Sequence, residues 1–138
     1  MKYLGIDYGT KRIGVAQSDE TGTIAFPLAT VVAGPQALSE VAQLAKDNRI
    51  EKIVIGESRN FKDQPNPVME DIEQFKKDLA EFTSLTVEYE PEFMTSAQAL
   101  RQGLDKRGEG AKQEDLDASA AALILQGYLD KMGQHGTN

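Results

Sequence analysis

The stretch that decides the fold reads KYLGIDYGTKRIGVAQS and spans residues 2–18. Its first half is apolar up to Asp7 and predicts a strand. The glycine and polar residues that follow predict a turn, and residues 12–18 predict a second strand. A third strand is predicted over residues 24–32, where Pro27 favours a sheet edge because proline cannot donate to a strand ladder. The chain is therefore expected to begin with three antiparallel strands.

Beyond residue 34 the apolar residues recur at helical spacing and alternate with short apolar runs typical of buried strands. The predicted elements are a helix around residues 38–45, a strand over 52–56, a polar loop over 57–67, a helix over 68–82, a strand over 86–89, a helix over 95–104 and a helix over 114–131. Joined by right-handed crossovers, this order is that of the ribonuclease H-like α/β fold. It predicts a five-stranded mixed sheet with the first strand central and helices on both faces.

Length and composition indicate one globular domain. The chain has 138 residues, of which 40% are hydrophobic, and a single core suits that size. We expect one domain over residues 1–132 and a flexible tail over 133–138. The absence of cysteine excludes disulfide scaffolds and thiol catalysis. No apolar run approaches a membrane span and the start lacks a signal peptide's pattern, so we expect no membrane partner and a cytoplasmic location.

The charge of −7 opposes simple binding to a phosphate backbone. The charges are unevenly distributed, however, since residues 2–16 and 101–112 each carry a net charge of +2. Residues 66–92 contain eight acids and two lysines. This pattern predicts either a basic face shared by the two positive segments or charge that is simply scattered for solubility.

Elimination favours carboxylate chemistry. The single histidine, His135, lies in the expected tail, which argues against a Ser/His/Asp triad, and neither a P-loop nor a dinucleotide fingerprint is present. Three acids are candidates by their positions: Asp7 at the end of the first strand, Glu92 after the fifth and Asp117 at the start of the last helix. Each could have a structural role instead of a catalytic one. Asp7 could cap a turn, Glu92 could be a surface charge, and Asp117 could stabilise the N-terminus of its helix.

The predicted fold would bring these three acids together. If strands one, four and five are parallel, Asp7 and Glu92 emerge at the same edge of the sheet, and the last helix can carry Asp117 to it. Converging carboxylates require compensation, which a hard divalent cation such as Mg²⁺ or Mn²⁺ supplies. Such ions can activate water and stabilise the leaving oxygen of a phosphodiester without histidine.

Two segments resemble the YqgF/RuvX family of pre-16S rRNA nucleases and Holliday junction resolvases. Residues 5–16, GIDYGTKRIGVA, are similar to its opening signature, and residues 116–125, LDASAAALIL, resemble its final helix. The resemblance covers nearly the whole chain and implies that Asp7, Glu92 and Asp117 are catalytic and bind Mg²⁺ or Mn²⁺. The match around Glu92 is weaker, because Pro91 and Phe93 stand where the family has an acid and an arginine.

A second departure concerns the fourth strand, where Ile55-Gly56-Glu57-Ser58 replaces the family's Val-Gly-Leu-Pro. Glu57 is expected just past a strand beside the first one, near Asp7. We hypothesise that Glu57 is a further metal ligand that joins Glu92 or partly replaces it. The alternative is an exposed loop glutamate.

Basic and hydroxyl side chains near these acids are candidates for nucleic-acid binding. Those expected in the first hairpin are Thr10, Lys11 and Arg12, and those in the second positive segment are Arg101, Lys106 and Arg107. Lysine binds phosphate as a point charge, whereas arginine can bond it bidentately. A solvated turn or loop is the alternative for both groups.

The resemblance implies a metal-dependent endonuclease that acts on structured nucleic acid, first of all at the 5′ end of pre-16S rRNA in ribosome biogenesis. Cleavage of four-way DNA junctions is the alternative substrate and would favour a homodimer over a monomer, since a junction needs two symmetric cuts. A catalytically inactive member that binds nucleic acid or protein is a second alternative. An ATPase of the actin/hexokinase type is a third, which the small size disfavours.

Overall fold

The structure, a computed structural model, describes residues 1–58, 68–92 and 113–136, and the side chains of residues 1–56, 69–90 and 116–132. The strands are β1 (Tyr3–Tyr8), β2 (Arg12–Ser18), β3 (Ala25–Val32), β4 (Lys52–Ser58) and β5 (Thr86–Glu92). The helices are α1 (Ala37–Asp47), α2 (Val68–Thr83) and α3 (Gln113–Gly136). The helix predicted over residues 95–104 lies outside the described residues.

The strands form one mixed sheet in the order β3-β2-β1-β4-β5. β1, β2 and β3 are antiparallel neighbours, whereas β4 pairs in parallel with both β1 and β5. The predicted antiparallel start, the central first strand and the edge position of Pro27 are confirmed. Because β1, β4 and β5 are parallel, their carboxyl ends meet at one edge of the sheet, which we call the carboxyl edge.

Alternation along the strands divides the core between the two faces. Ile6 of β1 and Ile55 of β4 face α1 and α2 in the larger apolar cluster. Tyr3 of β1 and Val54 of β4 face α3 in a second cluster, which includes Leu125. Helices therefore cover both faces, as predicted.

Close backbone approach fixes α3 against the sheet. A Cβ atom built on Gly5 would lie 2.7 Å from the Cβ of Leu125, a separation that real Cβ contacts essentially never show. Leu125 itself is fully buried. A glycine in β1 is therefore needed for the helix to lie this near the central strand.

The predicted ends of the fourth and fifth strands are wrong because pairing between these strands extends both beyond their apolar residues. Glu57 and Ser58 were expected in a loop but pair in parallel with Pro91 and Glu92. The last helix begins one residue earlier and ends five residues later than predicted, at Gly136.

Within the described part of the chain, no helix combines the length and apolarity required to cross a bilayer.

Candidate active site

Asp7 is the acidic residue at the carboxyl edge of the central strand. It lies two positions after Gly5, which α3 covers, so strand alternation places it on the α3 face. Asp7 is only 5% exposed. A carboxylate buried to this degree requires polar or charged partners.

Asp117 reaches the same edge from the first part of α3. Gly14 is paired with Asp7 across β1 and β2, and a Cβ atom built on Gly14 would lie 1.9 Å from the carbonyl oxygen of Asp117. The backbone of α3 thus rests directly on β2 beside Asp7. Asp117 is 6% exposed. The backbone of Asp117 therefore lies beside Gly14, the residue that pairs with Asp7.

Arg12 binds one of these carboxylates. Its Nε donates to Oδ2 of Asp117 over 2.7 Å, and the Arg12 side chain is one-third exposed. This charge-assisted bond orients the Asp117 carboxylate. The guanidinium, predicted from the sequence as a phosphate contact, therefore lies in the site and already holds one of its acids.

The hairpin beside Asp7 carries the other two predicted contacts. Thr10 and Lys11 are exposed at its tip, between β1 and β2. A Cβ atom on Gly9 would meet the carbonyl oxygen of Arg12 at 2.5 Å, so the turn requires glycine there. The tight turn presents Thr10 and Lys11 to solvent at the carboxyl edge.

The strand register places Glu57 and Glu92 differently. Glu57 follows Ile53 and Ile55 at alternate positions of β4, and both isoleucines pack towards α1 and α2. Glu92 follows Glu88 and Glu90 at alternate positions of β5. Both of those glutamates contact side chains of α3. The side chains of Glu57 and Glu92 lie outside the described ones, as do Arg101, Lys106 and Arg107.

Glu90 is an acid of this edge that reasoning from the sequence missed. It is 8% exposed, and Lys131 of α3 donates to its Oε2 over 2.6 Å. Glu90 pairs with Gly56 of β4, the residue after Ile55, which pairs with Ile6. Period-two spacing of Glu88, Glu90 and Glu92 was the available signal, but only the crossing of α3 over β5 reveals which acid is buried and paired.

A polar network around Glu88, two residues before Glu90 in β5, also connects α3 to the sheet. The Tyr128 hydroxyl donates to Oε2 of Glu88 over 2.8 Å, and Lys52 Nζ lies 3.0 Å from Oε1. The hydrogen bond from Tyr128, followed by that from Lys52, lowers the pKa of Glu88 below its ordinary value. Burial raises the pKa of Tyr128. The neutral Tyr128 hydroxyl thus ties α3 to β5, and the ion pair between Lys52 and Glu88 ties β5 to β4.

The donor set around Asp7 suits a hard cation, because it consists of carboxylate oxygens. Within residues 1–56, 69–90 and 116–132, no three histidine, cysteine, aspartate or glutamate side chains lie close enough together to hold a metal ion. A cation held by Asp7 and Asp117 would therefore need a further ligand. A third would have to come from outside these side chains or from a rearrangement of them.

Comparison with known proteins identifies the family. The family model described as "RuvX: Holliday junction resolvase" matches residues 1–131. A protein of Streptococcus mutans named "Putative pre-16S rRNA nuclease" is 35% identical, over 96% of this chain and 99% of its own. Relatives of the same name from Moorella thermoacetica and Oenococcus oeni are 34% and 32% identical, the former over 99% of both chains and the latter over 97% of both.

Solved structures show the same fold. RuvC of Thermus thermophilus, solved in complex with a Holliday junction substrate, matches with a TM-score of 0.60 at 21% identity, over 96% of this chain and 97% of its own. The resolvase of fowlpox virus, solved with Holliday junction DNA, matches with a TM-score of 0.54 at 14% identity, over 96% and 99%. The predicted ribonuclease H-like fold is therefore confirmed.

Proposed function

The chain belongs to the RuvX (Holliday junction resolvase) family, and we propose that it is a divalent-metal-dependent endonuclease that hydrolyses phosphodiester bonds in structured nucleic acid. The observation that carries the proposal is the position of two buried carboxylates, Asp7 and Asp117, around Gly14 at the carboxyl edge. The family match favours a nuclease over the ATPase alternative.

The proposed substrate is the precursor of 16S ribosomal RNA, cut at its 5′ end. The names of relatives at 32–35% identity over nearly the full length support this choice. Four-way DNA junctions are the second candidate, which the description of the matching family model favours. The same proposal places the protein in the cytoplasm, where ribosomal precursors are processed.

Asp7, Asp117 and Glu92 are the residues proposed to hold Mg²⁺ or Mn²⁺, which would supply an activated water and charge stabilisation for the leaving oxygen. Asp7 anchors the site because it is buried in the central strand. Arg12 orients Asp117 through its Nε, and Thr10 and Lys11 donate from the hairpin to phosphate oxygens. Arg101, Lys106 and Arg107 remain predicted backbone contacts.

Glu57 stays a proposed ligand, and the register makes a comparison with Glu92 informative. By strand alternation, Glu92 belongs with Glu88 and Glu90, which contact α3. Glu57 belongs instead with Ile53 and Ile55, which face α1 and α2. We expect Glu92→Gln to weaken metal binding, measured by calorimetry, more than Glu57→Gln does. Equal losses in the two variants would make both residues ligands. No loss in either would remove both from the site.

The decisive experiment is cleavage of a labelled 16S rRNA precursor and of a labelled four-way DNA junction, each with Mg²⁺, Mn²⁺ or chelator. Asp7→Asn should abolish the metal-dependent cleavage. Asp47→Asn is the matched control, because Asp47 is exposed on α1 across the sheet and the charge change is identical. If the parent protein binds these substrates without cutting them, the alternative of a catalytically inactive binding protein is supported. If the parent protein neither binds nor cuts them, the proposal is refuted.

A further inference from the structure

A lysine is held at the carboxyl edge by a buried acid. Lys131 Nζ and Glu90 Oε2 are 2.6 Å apart, and the lysine side chain is 59% exposed whereas that of the glutamate is 10% exposed. A buried carboxylate keeps its charge only when it is paired. Glu90 therefore fixes one side of the ammonium group while the rest of the lysine side chain stays open to solvent.

The sheet register places this ion pair in line with Asp7. Ile6 pairs with Ile55, so Asp7 and Gly56 are the next neighbours, and Gly56 pairs with Glu90. Asp7 and Glu90 are thus two strand spacings apart, about 10 Å. The position between them is a glycine, so no side chain rises from β4 at this level.

A second cation lies on the other side of Asp7. Arg12 of β2 binds Asp117 there, whereas Lys131 reaches Glu90 on β5. At each end of this row a buried acid therefore holds a partly exposed cation, and Asp7 lies between the two pairs. A sugar-phosphate backbone laid along the carboxyl edge would meet a positive group on each side of the catalytic carboxylate.

We propose that Lys131 is a phosphate-contacting residue on the β5 side of Asp7, and that Glu90 is the residue that positions it. An ammonium group has three donors, and Glu90 uses one of them. Because the tether already restricts the lysine, less side-chain entropy is lost when it binds a phosphate. The inference rests on the proposed nuclease function and deepens it by extending the nucleic-acid site across the sheet.

The test measures binding of a labelled four-way junction and of a labelled 16S rRNA precursor by anisotropy, in Mg²⁺, over a series of salt concentrations. Asp7→Asn serves as the background so that the substrates stay intact. Lys131→Gln should weaken binding about tenfold and reduce the slope of log K against log salt by about 1. Lys46→Gln, which removes an exposed charge on α1 across the sheet, should leave the slope unchanged.

Further variants separate positioning from folding. Lys131→Arg keeps the charge and should retain the slope. Glu90→Gln should weaken binding when Lys131 is present and have no additional effect in Lys131→Gln protein, because the two residues act as one unit. That double variant also leaves no unpaired buried charge, so thermal melting is expected to show a folded protein.

The outcomes distinguish this inference from the function beneath it. If the protein with Asp7 intact cuts neither substrate and the Asp7→Asn protein binds neither, the proposed nuclease fails. If the background protein binds and Lys131→Gln has the same salt slope as Lys46→Gln, the nuclease stands and the role of Lys131 is overturned. An effect of Glu90→Gln that persists in full without Lys131 would overturn the positioning role of Glu90.

Discussion

Replacing Gly14 by alanine should displace the start of α3 from the sheet. The new Cβ would lie 1.9 Å from the carbonyl oxygen of Asp117, 2.4 Å from its carbonyl carbon and 3.1 Å from the nitrogen of Ala118. All three contacts are with backbone, so no side chain can rotate away. The helix must retreat by about 1.5 Å before the nearest contact reaches 3.4 Å, where ordinary packing begins.

The cost follows from that displacement. Adding a methyl group to a packed interior costs 1–3 kcal/mol when side chains and backbone can adjust, and here only backbone can move. We expect the free energy of unfolding to fall by about 3 kcal/mol, which lowers the Tm by roughly 10 °C. Metal affinity should fall as well, because Asp117 moves with the helix away from Asp7.

The assay is thermal and urea unfolding, with metal binding measured by calorimetry on the folded protein. Gly127→Ala is the matched control, because its Cβ would lie 3.6 Å from Glu90 Oε2 in ordinary contact. Alanine in the interior of a helix is favoured over glycine by about 0.5–1 kcal/mol, so this variant should be stabilised. If Gly14→Ala unfolds at the parent's urea midpoint and binds metal normally, the close packing of α3 on β2 is refuted.

Two further predictions concern the α3 interface. Leu125→Ala empties a fully buried site over Gly5 and should lower the free energy of unfolding in urea by about 3 kcal/mol. Leu123 is more exposed, so Leu123→Ala should lower it by less than about 1 kcal/mol. Equal losses would contradict the packing described. Because the folded pKa of Glu88 is lowered from 4.5, its contribution to stability is complete above that value and is lost as the pH falls through the folded pKa. Tyr128→Phe should therefore destabilise the protein more near pH 6 than near pH 3, and a loss independent of pH would show that the hydroxyl does not act through the carboxylate.

The sheet could be predicted from the sequence because each strand carries its own local signal. The apolar run ending at Asp7, the turn that follows and Pro27 at the edge are features of neighbouring residues. The last residues of β4 and β5 lack such a signal, since Glu57 and Pro91 are poor strand formers. They are strands because they pair with each other, and pairing overrides local propensity.

The candidate site could be predicted only in part for the same reason. Asp7 and Asp117 are recognisable from their local contexts and from a resemblance in the surrounding segments. The bond from Lys131 to Glu90 joins residues 41 positions apart, and it depends on where α3 crosses the sheet. Close approach at Gly14 sets that crossing, so the buried acid and its lysine emerge only once the packing of helix and sheet is known.

The distribution of charge reconciles a net-acidic chain with a nucleic-acid substrate. α2 carries five acids and two lysines and packs on the face opposite α3, so negative charge accumulates on the far side of the sheet. At the carboxyl edge, Asp117 and Glu90 are each paired with a cation and Lys11 adds a positive charge at the hairpin tip. The proposed divalent ion would offset the charges of Asp7, Glu57 and Glu92. With that ion bound, a polyanion would meet repulsion from one face and local attraction at the edge, which would orient its approach towards Asp7. Raising the salt concentration should weaken binding, because it screens these few contacts. The net charge of −7 should not prevent binding at low salt.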